Sequence, residues 1–217
     1  MIPVLFTTYN RLAYTKQTLP TLLQNTQGRI IVIDNGSVDG TQEYLKGLTG
    51  FELVLNPKNK GLSGAMNQFF EMTKGVEFAG KVDNDTLVPP DWLKDLTVVL
   101  AHGLEIVQAA HYFWSSVYKD WEHLCKSRPV KTINGNVLVY MKSVGGSGIA
   151  FKREIVEHIP DTGLFGWSEF IAKNKQHRRG MYGGVWVNLL DLAYFNRYKE
   201  GLDAEYFVKT GRWAYRD

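Results

Sequence analysis

Short apolar runs alternate with helically spaced apolar positions along the first hundred residues of the chain. The runs are rich in Ile, Val and Leu, which is typical of strands buried on both faces of a sheet. Between the runs, apolar residues recur at helical spacing, as on one face from Leu62 to Phe70. Strands are predicted at residues 2–7, 29–33, 51–55, 78–82 and 105–109, and helices around residues 19–23, 42–48, 62–75 and 92–100. These βα repeats predict a parallel sheet covered by helices on both faces.

The pattern changes in the second half of the chain. Asn134-Gly135 separates two short strand-like runs, residues 130–133 and 136–140, and such a pair is the strongest short hairpin signal. An antiparallel ribbon is therefore predicted to join the sheet. Further along, a strand that ends at Phe151 follows a glycine-rich segment, and residues 152–158 are predicted to form a helix.

Length and composition fit one globular domain over residues 1–217. Hydrophobic residues make up 44% of the chain and charged residues 22%, which excludes disordered and fibrous classes. No apolar run approaches the roughly 18 residues that span a bilayer, and no signal peptide opens the chain, so we expect no transmembrane segment. The single cysteine, Cys125, is typical of a core residue in a reducing compartment, which predicts a cytoplasmic protein. A net charge of +3 leaves anionic substrates open.

Polar segments follow three of the predicted strands at the point where each strand ends. In α/β sheets, ligands bind outside the carboxyl ends of the strands, so these segments are expected to form one site. The three segments are Thr7-Thr8-Tyr9-Asn10-Arg11, Asp34-Asn35-Gly36-Ser37-Val38-Asp39-Gly40-Thr41 and Asp83-Asn84-Asp85.

The two carboxylates of Asp83 and Asp85 are the most informative feature. At a strand end they offer hard oxygen ligands for Mg²⁺ or Mn²⁺ and acceptors for ribose hydroxyls. Taken alone, Asp83-Asn84-Asp85 is equally typical of a solvated turn. Asp34 directly follows an Ile/Val run, where its carboxylate can bond a base or ribose, whereas the rest of its segment has the composition of a turn and helix cap.

Taken together, the segments resemble the family 2 glycosyltransferases of the GT-A fold. The resemblance covers about residues 2–170 and implies an α/β nucleotide-diphospho-sugar transferase fold, with a mixed, mainly parallel sheet flanked by helices. It also implies a nucleotide-sugar half at about residues 1–100 and an acceptor half at about 101–217. The motifs that carry it are Thr8 to Arg11, Asp34 to Thr41, Asn59 to Asn67, Asp83-Asn84-Asp85, Gly145 to Glu154, and Phe165 to Glu169.

The resemblance implies a role for each matched residue. Asp85 would bind Mn²⁺ or Mg²⁺, and Glu169 would deprotonate the acceptor hydroxyl. Asp34 would bond the nucleobase, while the glycine and small residues after Asn59 would let the backbone approach the donor. The implied donor-binding residues are Thr7, Tyr9, Asn10, Arg11, Asp34, Gly61, Ala65, Asn67, Asp83 and Asn84.

The chain departs from this family pattern near its end. Ser168-Glu169 stands where relatives often have two acidic residues, and no histidine follows His177, so the third metal ligand is either Asp191 or His177. The basic run at residues 173–179 is interpreted as a solvated helix end in preference to a diphosphate contact. A group of aromatic residues is as consistent with a core as with stacking on an acceptor sugar: Tyr112, Phe113, Trp114, Tyr118 and Trp121.

These observations predict metal-dependent, inverting transfer of a sugar from a nucleotide-sugar donor, with a UDP-sugar favoured. The acceptor hydroxyl would belong to a saccharide, a lipid-linked glycan or a modified nucleic-acid base. One alternative is a sugar-nucleotide nucleotidyltransferase, although residues 7–11 are not its glycine-rich basic loop. Another is a non-catalytic sugar or nucleic-acid binding module on the same fold. A Rossmann dehydrogenase is disfavoured because no G-x-G-x-x-G follows a strand.

Overall fold

Ten strands and six helices alternate along the part of the chain that the computed structural model describes, residues 1–111, 121–160 and 166–190. The strands are β1 (Pro3–Thr8), β2 (Arg29–Asp34), β3 (Glu52–Leu55), β4 (Phe78–Asp83), β5 (Thr86–Leu87), β6 (Ile106–His111), β7 (Val130–Ile133), β8 (Asn136–Tyr140), β9 (Ile149–Lys152) and β10 (Arg179–Leu189). The helices are α1 (Leu12–Asn25), α2 (Thr41–Lys46), α3 (Gly61–Met72), α4 (Trp92–Leu100), α5 (Trp121–Ser127) and α6 (Gly166–Lys173). None of these helices is long and apolar enough to cross a bilayer.

The strands form one mixed sheet in the order β3-β2-β1-β4-β9-β6-β10-β8-β7, and β5 pairs with the end of β10. Strands β1 to β4 are mutually parallel. Strand β9 runs antiparallel between β4 and β6, which therefore point the same way, and β10 is parallel to β6. The carboxyl ends of β1, β2, β4, β6 and β10 thus share one edge of the sheet, which we call the carboxyl edge.

Side chains that alternate along the strands build a separate apolar layer on each face of the sheet. On one face, Val4 and Phe6 of β1 pack with the buried residues of α1 and α4. On the other face, Leu5 packs with the buried residues of α3 and α6, including Phe69 and Trp167. Because β1 and β2 are buried on both faces, their sequences are continuous apolar runs instead of alternating ones.

Most of the predicted elements are confirmed. The first four strands lie within two residues of their predicted positions, and the hairpin strands β7 and β8 have the predicted boundaries. Asn134 and Gly135 both adopt positive φ, at 49° and 76°, as a two-residue hairpin turn of this type requires. The prediction of one domain over residues 1–217 extends beyond the described residues and stays a prediction.

The helix predicted over residues 152–158 is wrong. Lys152 ends β9, and only Arg153–Ile155 forms a short 3₁₀ turn. The backbone N–H groups of Lys152 and Arg153 donate to the carbonyls of Glu105 and Glu77, so they continue the strand contacts. The Arg153 side chain is buried and donates to Phe70 O at the C-terminal end of α3, at 3.1 Å.

Candidate active site

Three strand-end segments meet at the carboxyl edge, as the sequence predicts. In the sheet register Thr8 lies opposite Asp34, and Thr7 lies opposite Asp83. The N–H of Asn35 donates to the carbonyl of Thr8 at 2.9 Å, so β1 and β2 stay paired to their last residues. Adjacent strands lie about 4.8 Å apart, so this register brings the three segments within reach of one small ligand.

The loops after β1 and β2 are joined by reciprocal hydrogen bonds. The N–H of Asn10 donates to Ser37 Oγ at 2.9 Å, and the N–H of Val38 donates to Asn10 Oδ1 at 2.7 Å. Asn10 adopts a positive φ of 49°, a conformation that asparagine tolerates better than most residues. Asp39 Oδ2 accepts the N–H of Leu12 at 2.9 Å and so caps the start of α1. The two loops therefore hold one shared conformation, with Tyr9 half-buried beside them.

Asp34 is fully buried, and its carboxylate is engaged by the loop that follows it. Oδ1 accepts the N–H groups of Gly36 and Ser37 at 3.0 and 2.9 Å and the Gln42 amide at 2.8 Å. Oδ2 accepts the Ser37 hydroxyl. These four hydrogen bonds account for the carboxylate within the fold, because they shape the turn after β2. The predicted contact of Asp34 with a nucleobase stays a prediction.

Asp85 is largely buried and pairs with Arg11, a cation of the loop that follows β1. Its Oδ2 is 3.2 Å from Arg11 Nη1, and the side chains of Arg11 and Asp85 are 10% and 15% exposed. The Arg11 guanidinium also stacks over the Tyr14 ring at 4.2 Å. The structure therefore brings the predicted metal ligand and a predicted diphosphate contact together, since Arg11 carries the charge and forked geometry that phosphates require.

Asp83 has a partner that the sequence analysis missed. The ammonium of Lys81 contacts Asp83 Oδ1, and Thr7 Oγ1 lies 3.5 Å from the same oxygen. The Asp83 side chain is 34% exposed, whereas Lys81 is fully buried. Lys81 Nζ also donates to the carbonyl of Gly146 at 2.5 Å. Each carboxylate of the acidic pair therefore faces its own cation.

The glycine-rich loop before β9, residues 145–148, contacts the acidic pair. The N–H of Asp83 donates to Ser147 Oγ at 2.8 Å, and Ser147 Oγ lies 2.7 Å from Thr86 Oγ1. Thr86 Oγ1 donates to Asp85 Oδ1 at 3.2 Å. Because Thr86 donates its single hydroxyl hydrogen to Asp85, Ser147 donates to Thr86, and the loop thereby supports both residues of the acidic pair.

His111 ends β6 next to this loop and is almost fully buried, with 3% of its surface exposed. Its Nε2 lies 2.8 Å from Gln108 Nε2, and Gln108 Oε1 accepts the N–H of Gly145 at 2.8 Å. Burial lowers the pKa of His111 from 6.5 to about 4, against smaller raising effects from the Ser147 backbone and the Asp83 charge. His111 is therefore neutral at pH 7.

The buried neutral His111 makes a testable contribution to acid sensitivity. The unfolded chain binds a proton at His111 below pH 6.5, whereas the folded chain does so only near pH 4. Stability should therefore fall as the pH falls between these values, by about 2–3 kcal/mol between pH 7.5 and 4.5 from this residue alone. Denaturant unfolding of wild type and His111→Gln across this range measures the difference. Parallel pH profiles in the two proteins would contradict it.

Three residues that the resemblance assigns to donor binding have side chains that make contacts within the fold. Asn84 is buried and its amide donates to Thr8 Oγ1 at 3.0 Å, which ties the acidic turn to β1. Ala65 is fully buried in the apolar layer of α3. The Asn67 carboxamide makes two hydrogen bonds of 2.8 Å with the backbone of Ile159. The side chains of these residues make contacts within the fold, and their part in donor binding stays a prediction.

Gly61 keeps a position that suits its predicted role. It opens α3 with a positive φ of 68°, and its N–H donates to Asn59 Oδ1 at 2.8 Å. Its carbonyl accepts the side-chain amide of Asn35 at 3.0 Å, which joins the start of α3 to the loop after β2. Direct contact of Gly61 with a donor stays a prediction.

Of the two candidates for a third metal ligand, His177 is wrong. It precedes β10, which runs parallel to β6, so it lies at the amino edge of the sheet. Five residue steps of β6 separate that edge from the carboxyl edge, a distance of roughly 17 Å. Asp191 lies outside the described residues, although the N–H of its neighbour Leu190 donates to the carbonyl of Asp85 at 2.7 Å.

The oxygen atoms of Asp83 and Asp85 fit a divalent cation that is held largely by its substrate. Within the described residues, no group of three or more His, Cys, Asp or Glu side chains could hold a metal ion. Mg²⁺ in nucleotide sites is often bound through one or two carboxylates, with phosphates and water completing the shell. The exposed position of the acidic pair, beside Arg11, is compatible with that arrangement.

Helix α6 carries the predicted base and packs beside the glycine-rich loop. Trp167 is buried against Phe151, with ring centroids 5.3 Å apart. A Cβ on Gly146 would lie 3.7 Å from Trp167 Cδ1 and 3.9 Å from Asp83 Oδ2. The first turn of α6 is therefore close to the acidic pair. Glu169 is the fourth residue of α6, with its side chain outside the described part of the structure.

Of the aromatic candidates for acceptor stacking, only Trp121 lies in the described part of the chain. Its ring packs edge-on against Trp186 of β10, with centroids 5.4 Å apart, and covers Gly183. Trp121, the first residue of α5, is therefore a partly buried residue that packs against β10. Tyr112, Phe113, Trp114 and Tyr118 lie outside the described residues.

The mixed sheet, the strand-end acidic pair and the flanking helices together define a nucleotide-diphospho-sugar transferase fold of the GT-A type. The model of the family described as "Glycosyl transferase family 2" matches residues 4–159. The chain therefore belongs to glycosyl transferase family 2. None of the curated protein sequences compared with the chain matches it.

Solved structures support the fold. GalNAc-T7, solved with UDP, GalNAc and Mn²⁺, superposes with a TM-score of 0.65 at 14% identity, covering 87% of this chain and 43% of its own. Residues 1–349 of S. aureus TarS, solved with UDP-GlcNAc, superpose with a TM-score of 0.60 at 14% identity, covering 96% of this chain and 63% of that one. The chain thus spans about half the length of these two proteins.

Proposed function

We propose that this protein transfers a sugar from a nucleoside-diphosphate donor, with a UDP-sugar favoured, to an acceptor hydroxyl. The observation that carries the proposal is the acidic pair Asp83 and Asp85 at the meeting point of three strand-end segments, with Arg11 against Asp85 at 3.2 Å. In a member of glycosyl transferase family 2, this combination provides carboxylates for a metal and ribose, and a guanidinium for a diphosphate.

The proposed roles follow from position and charge. The Asp85 and Arg11 side chains keep 15% and 10% of their surface exposed, so Arg11 can exchange its carboxylate for a donor phosphate when a cation takes its place. Mn²⁺ or Mg²⁺, once bound, stabilises the negative charge that develops on the leaving diphosphate. Thr7 and Asp83 offer a hydroxyl and a carboxylate beside it, suited to ribose hydroxyls. Tyr9, Asn10 and Gly61 border the remaining donor space.

The acceptor step is assigned to Glu169. A carboxylate that lies within about 3 Å of the acceptor hydroxyl can take its proton as the new bond forms. A single base opposite the leaving diphosphate means direct displacement, so the anomeric configuration should invert. The acceptor class stays open among saccharides, lipid-linked glycans and modified nucleic-acid bases. Cytoplasmic location remains the expectation from the single cysteine.

Two neighbouring structures motivate the choice of donor. One contains UDP, GalNAc and Mn²⁺, and the other contains UDP-GlcNAc. We therefore place UDP-N-acetylhexosamines first among donors to be tried. The identity of 14% to both proteins supports fold likeness alone, so the sugar must be measured.

The function is tested by incubating the purified protein with UDP-, GDP- and dTDP-sugars and Mn²⁺, and by measuring released nucleoside diphosphate. Slow release of UDP from one donor, faster with a suitable acceptor, is the expected result. Pyrophosphate release from UTP and a sugar phosphate would instead show a nucleotidyltransferase. UDP binding without turnover of any donor would show a binding module.

A further inference from the structure

Lys81 is a charged residue in the interior of the sheet. It lies on β4, paired in register with Leu5 of β1 and Ile149 of β9, and none of its surface is exposed. Lysine is almost never fully buried unless its charge is paired. Here the ammonium contacts the Asp83 carboxylate and donates to the Gly146 carbonyl at 2.5 Å. The burial is therefore compensated by two partners, both at the candidate site.

The two partners of Lys81 belong to different parts of the site. Asp83 belongs to the acidic pair, and its side chain is 34% exposed. Gly146 belongs to the glycine-rich loop, which packs against α6 through Trp167. A Cβ on residue 146 would lie 3.6 Å from Lys81 Nζ, so this part of the loop lies in direct contact with the ammonium. Lys81 thus connects the donor side of the site to the side that carries the predicted base.

The two cations of the site differ in one respect that matters for metal binding. The Arg11 side chain, which pairs with Asp85, is 10% exposed, whereas the Lys81 side chain is fully buried between β1 and β9. A cation that approaches Asp85 can displace the guanidinium towards solvent or a phosphate. A cation that approaches Asp83 meets a fixed ammonium on one carboxylate oxygen, and the like charges repel.

We propose that Lys81 is a positioning residue that holds Asp83 and the glycine-rich loop in one arrangement and reserves Asp83 for hydrogen bonding to the donor. Metal binding is thereby directed to Asp85. The proposal rests on the proposed function, because it assigns a role within the same donor site. Lys81 acts through Asp83 and Gly146 and does not itself touch the substrate.

The test compares Lys81→Met with wild type. Met has a similar length without the charge, and Asp83 is exposed enough to be hydrated, so the variant should fold. We expect the donor KM to rise and kcat/KM to fall by about 10- to 100-fold, as for other groups that orient a ligand. We also expect the Mn²⁺ concentration that half-saturates UDP binding in a titration without turnover to fall, because Asp83 becomes accessible to the metal. Lys94→Met, which removes an exposed charge on α4, is the matched control and should leave both unchanged.

A second variant ties these effects to Asp83. In Lys81→Met/Asp83→Asn the carboxylate is lost, so the tighter Mn²⁺ binding of the single variant should disappear. Should Lys81→Met prove insoluble, Lys81→Gln, which keeps one donor, replaces it in both comparisons. A variant that loses thermal stability but keeps wild-type donor KM and Mn²⁺ dependence would overturn the positioning role. Absence of UDP binding and turnover in wild type would instead overturn the proposed function.

Discussion

Replacement of Glu169 by Gln is expected to lower kcat by about 10²–10⁴-fold while donor affinity changes little. Gln keeps the size and reach of the side chain but cannot accept the proton of the acceptor hydroxyl. The assignment is supported by the position of α6, whose Trp167 lies beside Gly146 and thus close to Asp83. Steady-state turnover and calorimetric titration with UDP separate the chemical step from binding.

The same experiment reports the stereochemistry. Direct displacement at an α-linked donor should give a β-linked product, which proton NMR reads from the anomeric coupling. Glu122→Gln, a change at an exposed glutamate of α5, serves as the control and should keep wild-type turnover. Retention of configuration, or near-normal turnover in Glu169→Gln, would overturn the assigned base together with the single-displacement mechanism.

Replacement of Asp85 by Asn is expected to abolish the part of UDP affinity that depends on Mn²⁺. Changes in groups that only orient metal ligands cost about 10- to 100-fold, so loss of a ligand itself should cost more than about 100-fold in metal-dependent affinity. The fold should persist because Asn keeps the size of the side chain, and the side chains at positions 85 and 11 retain 15% and 10% exposure. Titration of UDP with and without Mn²⁺ measures the effect.

The matched control for this change is Asp95→Asn, at an exposed aspartate in the first turn of α4. It removes the same charge far from the carboxyl edge and should leave the Mn²⁺ effect intact. Equal affinity for UDP in wild type and Asp85→Asn, with no metal dependence in either, would exclude Asp85 as a metal ligand.

The nucleotide half of the fold was predictable because its signals are local. Strands β1 and β2 are continuous apolar runs, β3 and β4 are short and mainly apolar, and each is bounded by turn-forming residues. Strand β10 was missed, since it begins with Arg179 and contains Gly183-Gly184. Arg179 is buried only because its guanidinium donates to Ile171 O and Asn174 O at the end of α6, at 2.6 and 3.0 Å. That contact belongs to the tertiary structure, and local sequence does not reveal it.

The position of the candidate site was predictable because ligands bind outside the carboxyl ends of strands in α/β sheets. That rule located the acidic pair and Arg11, but it does not give side-chain direction, so the contacts of Ala65, Asn67 and Asn84 within the fold could not be predicted. Four further residues of the site were not singled out from the sequence: Lys81, Gln108, His111 and Ser147. One signal was present for Lys81. A charge within an apolar strand, two residues before Asp83, must share its face of the sheet.

The paired loops after β1 and β2 have a consequence for protein engineering. Asn10 receives the N–H of Val38 and gives its own to Ser37, so neither loop can be exchanged without breaking bonds to the other. A library that varies one of them alone would mostly lose these hydrogen bonds, each worth about 1 kcal/mol. Transplanting donor preference from a relative therefore means grafting both loops at once, as a single cassette.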